Sequence, residues 1–168
     1  MKHKFFRYFA YTLEMIVLFI LERTQNAIPE IFGEKPTLVI LVVLMIALFE
    51  GESAGLIFGL LAGILLDSAI NAQLSYLTVL MAIIGYIVGF ISRNVISVNF
   101  TTAMLVSTAS TVLIYMIIFV ANYALKGYGQ LWYVFWRHYL LRALYSLIVL
   151  PLIYYVNRPI AMNINEPE

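Results

Sequence analysis

Residues 51–67 read GESAGLIFGLLAGILLD, and their spacing decides the architecture. Gly51, Gly55, Gly59 and Gly63 recur at every fourth position, and Asp67 stands at the next step. Glycine weakens an exposed helix by roughly 1 kcal/mol relative to alanine and gives a soluble core nothing to pack. In a membrane helix it lets a neighbouring backbone come close. The run therefore predicts a helix in lipid with one ridge pressed against protein. A step of four residues turns roughly 40° around an ideal helix, so the ladder follows a ridge inclined to the axis. Such ridges favour right-handed crossings of about −40° to −50°. The spacing thus predicts a close, steeply crossed contact, shared between successive neighbours. Gly85 and Gly89 make a second small-residue face that suits the ladder as a partner.

The whole chain supports a membrane setting. Hydrophobic residues make up 63% of its 168 positions and charged residues 11%. Ordinary globular domains have about 45–50% and about 25%. A water-soluble fold of this length has no means of hiding so much apolar surface. The formal net charge is +1 and the basic residues are scattered, so nucleic acid is excluded as a partner. Cysteine is absent, which excludes disulfides, cysteine–metal sites and thiol chemistry.

Six hydrophobic segments follow along the chain, at about 5–22, 36–49, 52–67, 74–92, 100–123 and 138–156. The first follows Lys2 and Lys4 but ends in Leu21-Glu22-Arg23, with no small-residue cleavage site, so it reads as a retained helix. The second is short for a span and begins near Pro36. Residues 37–67 fit a hairpin, one long tilted helix or a buried re-entrant segment. Glu50 and Glu52, costly at a bilayer centre, favour the hairpin with its turn at Gly51. The fold class is all-α: a single polytopic membrane domain over residues 1–168, ending in a disordered tail at 157–168. Lys2, Lys4 and Arg7 favour a cytoplasmic N-terminus, and six spans return the C-terminus to the same side.

Several polar residues lie in apolar surroundings. Asp67, at the end of the ladder, reads as a turn or pairing residue or as a partner contact. Glu14, near the middle of the first span, must face protein or a water-filled cavity, or carry a proton. Arg142 is its candidate neutralising partner. Arg93, after the fourth segment, marks the cytoplasmic interface. Trp132, Tyr133 and Trp136 read as an interfacial aromatic belt or a docking surface. Ser107, Thr108, Ser110 and Thr111 read as hydroxyls that bond back to their helix or join helices. No catalytic or metal-binding motif is present, so no enzyme, metal or cofactor is expected.

The stretch PTLVILVVLMIALFEGESAGLIFGLLAGILLDS at 36–68, followed by LTVLMAIIGYIVGFISR at 77–93, resembles the MreD family of rod shape-determining membrane proteins. The positions that carry the likeness are Pro36, the four ladder glycines, Asp67, Gly85, Tyr86 and Gly89. Asn71-Ala72-Gln73 departs from the small residue usual after the aspartate. The resemblance implies a non-enzymatic scaffold of cell elongation in the bacterial cytoplasmic membrane. Its partners would be MreC and, through the complex, MreB, a SEDS glycosyltransferase and a penicillin-binding transpeptidase. The family is similar in fold to the substrate-binding subunits of energy-coupling-factor transporters. That implies an alternative, a vitamin-like small-molecule-binding subunit.

Overall fold

The computed structural model describes residues 2–24, 29, 35–69, 76–95, 98–121 and 135–162. Among them are six α-helices: α1 (Lys2–Arg23), α2 (Leu38–Glu50), α3 (Glu52–Ala69), α4 (Tyr76–Asn94), α5 (Phe100–Phe119) and α6 (Leu141–Met162). A π-helical turn, Phe135–Leu140, leads into α6. The fold is all-α, and α4, α5 and α6 are each long and apolar enough to cross a membrane. Three such helices mark a multi-pass membrane protein.

Helix α2 is the centre of the molecule. Every residue from Leu38 to Leu48 is buried. A helix apolar on all sides has no face to offer water, so its neighbours surround it. Arg7 of α1 meets Glu50, while Glu22 lies at the Leu38 end, so α1 runs antiparallel to α2. Helix α5 is also antiparallel: Tyr115 near its end bonds Thr37 at the start of α2. Helix α6 runs parallel to α2, with Ser146 at Thr37 and Tyr154 at Phe49.

The chain breaks between α2 and α3, which makes residues 37–67 a hairpin. Gly51 holds φ +92° there. That left-handed region strains any residue with a Cβ, so the turn requires glycine. The expected tail is partly helical. α6 continues to Met162 past Pro159, and residues 157–162 therefore belong to the folded body. Asn157 is fully buried and bonds both the Ile153 carbonyl and Glu14, which holds this last stretch against α1.

Candidate functional site

The glycine ladder meets α4 along its entire length. A Cβ on Gly55 would lie under 3.0 Å from the backbone O and C of Gly85. One on Gly59 would strike the Met81 and Ala82 backbone, and one on Gly63 the Thr78 and Leu77 backbone. One on Gly89 would meet Gly51 and Glu52. The contact thus runs antiparallel from Gly51–Gly89 at one end to Gly63–Thr78 at the other. At Gly55 an added Cβ would also lie under 3.0 Å from the Ala47 Cβ of α2, and along α4 the contact is continuous. The physical reason is that α4 supplies matching close-approach positions at 89, 85, 81–82 and 77–78. A four-residue repeat exceeds 3.6 residues per turn, so two helices that both follow it wrap around each other and stay together.

Asp67 closes this seam. It is 5% exposed, and its Oδ2 accepts from the Thr78 backbone N–H at 2.9 Å and the Thr78 hydroxyl at 2.6 Å. Thr78 lies in the first turn of α4, where backbone N–H groups have no partner within the helix. Asp67 therefore caps α4 from the end of α3. At the other end Arg93 reaches Glu52 at 3.4 Å in an exposed pair, the kind that contributes about 0–1 kcal/mol.

The ends of α2 carry two polar groups that sequence reasoning missed. Its 13 residues span about 20 Å, against roughly 30 Å of hydrocarbon. Its ends are enclosed by the other helices, where orphaned backbone groups cost several kcal/mol each. Neighbouring helices supply the partners. At the C-terminal end Arg7 Nη2 pairs with Glu50 Oε2 at 2.7 Å, and the Tyr11 hydroxyl donates to Glu50 Oε1 at 3.1 Å. The Ser92 hydroxyl donates to the Leu48 carbonyl. At the N-terminal end the Glu22 carboxylate faces the Leu38 and Val39 N–H groups. Tyr115 donates to Thr37 Oγ1 at 2.8 Å, and the Thr37 N–H donates to Ser146 Oγ at 3.2 Å. The available signals were Tyr11 and Tyr115 inside apolar runs and a span too short for the membrane.

Arg142 is not the partner of Glu14. Its Nε donates to the Lys35 carbonyl at 3.1 Å, at the N-terminal end of α2. Glu14 lies two turns from Arg7 on α1 and accepts from Asn157 Nδ2 at 2.9 Å. Residues 14 and 142 sit at different depths because α1 and α6 run in opposite directions, which pairs Glu14 with the far end of α6. The buried Oε2 of Glu14 and Oδ1 of Asn157 have no further partner. Ser107 and Thr111 are fully buried on α5, and their hydroxyls likewise have no partner among the described residues. Trp136 is half-exposed and packs edge-on to Phe135. Trp132, Tyr133 and the segment 71–73 lie outside the described residues. Among the described residues no three His, Cys, Asp or Glu side chains gather as a metal site.

No family model, curated protein or solved structure matches the chain.

Proposed function

We propose that this chain is a non-enzymatic membrane scaffold of the bacterial cell-elongation machinery. In this reading it acts with MreC and, through the complex, with MreB, a SEDS glycosyltransferase and a penicillin-binding transpeptidase. It helps organise lateral peptidoglycan synthesis and so maintain rod shape. All six helices cross the cytoplasmic membrane, α2 inside the ring of the others, with both termini cytoplasmic and a fold like the energy-coupling-factor binding subunits.

One observation carries the proposal. The residues that resemble the MreD pattern are the ones that build a single packed unit. The run after Pro36 becomes the buried post α2, and Gly51 makes the turn. The remaining glycines and Asp67 join α3 to α4. A pattern spent on backbone contact and capping suits a protein whose task is to hold a shape. Asp67 acts on the hairpin in this account, and partner contact falls to the 124–137 segment. The vitamin-binding alternative places a ligand beside that segment. A cleft among the described residues lies instead at the opposite end of α5 and α6, beside Asn99 and Arg158.

Depletion in its rod-shaped host, with crosslinking of bound proteins, tests the proposal. Rounding of the cells together with capture of wall-synthesis proteins is the expected result. Unchanged shape with loss of vitamin uptake would overturn it in favour of the alternative.

A further inference from the structure

A cleft of about 440 Å³ opens where the start of α5 meets the last turns of α6 and the end of α2. Its volume falls within the roughly 300–1,000 Å³ of small-molecule sites. One wall is a rigid aromatic stack: Phe49 against Tyr154 at 5.7 Å, and Tyr154 edge-on to Phe100 at 5.1 Å. The polar groups around it are Arg158, Asn99 and the Tyr154 hydroxyl. Tyr154 is 3% exposed as a whole, and its hydroxyl is not among the sealed polar atoms and so remains accessible; it makes no hydrogen bond among the described residues. Arg158 is exposed and has no ion-pair partner among them either.

The chemistry of the cleft is one-sided. A guanidinium, an amide and a phenol all offer hydrogen-bond donors, and no carboxylate lines the cleft among the described residues. The N-terminus of α5 begins at the cleft wall, at Phe100, and adds the positive end of a 20-residue helix. Arginine donors in a fork match phosphate oxygens in particular. Val98 and Met162 add apolar surface beside the polar groups. The site lies at the ends of two candidate membrane-spanning helices, the start of α5 and the end of α6.

We propose that this cleft binds the phosphate of an anionic phospholipid headgroup, held by Arg158, Asn99 and Tyr154 against the Phe49–Tyr154–Phe100 wall. The phospholipid is chosen over free phosphate because the aromatic wall and Val98 and Met162 match a glycerol and acyl stem, which free phosphate lacks. This assignment rests on the multi-pass membrane reading and is independent of the scaffold role.

The test is native mass spectrometry of the full chain extracted from bilayers of phosphatidylcholine and phosphatidylglycerol. Wild type retains phosphatidylglycerol in preference. Arg158→Gln lowers that preference about fivefold, which is about 1 kcal/mol, the weight of one basic residue at an anionic surface. Arg158→Lys keeps most of it. Arg93→Gln, the control at another exposed arginine, leaves it unchanged. Tyr154→Phe removes only an unpartnered hydroxyl. Its melting temperature in pure phosphatidylcholine stays at the wild-type value, while the extra stability conferred by phosphatidylglycerol shrinks. An unchanged preference in Arg158→Gln, or an equal loss in Arg93→Gln, would overturn the proposal. Displacement of the lipid by equimolar inorganic phosphate would overturn the phospholipid assignment.

Discussion

Helices α3 and α4 meet backbone to backbone, whereas α5 and α6 meet through side chains. In the first pair, added Cβ atoms on five glycines would strike main-chain atoms across the seam. In the second, Tyr115 lies 3.3 Å from Ser146 across the junction, and Phe100 packs against Tyr154 and Tyr155. The difference teaches what each region tolerates. A seam made of missing atoms fails when atoms are added. A junction made of hydroxyls and rings fails when atoms are taken away. Neither mode needs a hydrophobic drive between helices, which lipid does not supply.

The largest effect is expected at the seam. In Gly59→Leu even the first added carbon falls under 3.0 Å from the Met81 and Ala82 backbone. The cost exceeds the about 1–3 kcal/mol usual for overpacking, because rigid main chain has to move. Folded, monodisperse protein recovered from membranes should fall close to zero, and wild-type recovery would break the contrast. Next comes Arg7→Ala. It leaves Glu50, whose side chain is 4% exposed, without its cation, at about 3–5 kcal/mol. Unfolding in micelles measures this, and adding Glu50→Gln should restore most of the loss. Tyr115→Phe removes the hydroxyl between Thr37 and Ser146 and should cost about 0.5–1.5 kcal/mol in the same assay. The smallest effect is expected at Ile148, which is 72% exposed on α6, where Ile148→Ala should stay within about 0.5 kcal/mol. A large loss at Ile148 would mean that this face is covered by protein and not by lipid.

The seam was legible in the sequence because glycine carries no side chain, so its spacing reports directly on backbone approach. Gly51 and the hairpin were legible for the same reason, helped by Glu50 and Glu52. The full partner surface was not, because Gly85 and Gly89 announce only one end of it, and Thr78, Met81 and Ala82 carry no signal of close approach. Glu50 looked like a turn residue because nothing local announces that Arg7 and Tyr11, some forty positions earlier, converge on it. Asn157 lay hidden at the edge of a segment taken for tail, and its tie to Glu14 spans nearly the whole chain. Arg142 was paired by charge alone. The opposite directions of α1 and α6 decide that pairing, and direction is a property of the assembled helices.

The most direct test is the sign of the stability change in Gly85→Ala. Helix propensity alone favours alanine over glycine by about 1 kcal/mol. The close seam reverses that preference, because the new Cβ would lie under 3.0 Å from the Gly55 carbonyl carbon and oxygen. Unfolding of wild type and Gly85→Ala should be compared in one bilayer-mimetic, with Ile83→Ala on the exposed side of α4 as reference. A less stable Gly85→Ala protein is the result this account predicts. A more stable one would contradict the glycine seam as the contact that fixes the fold.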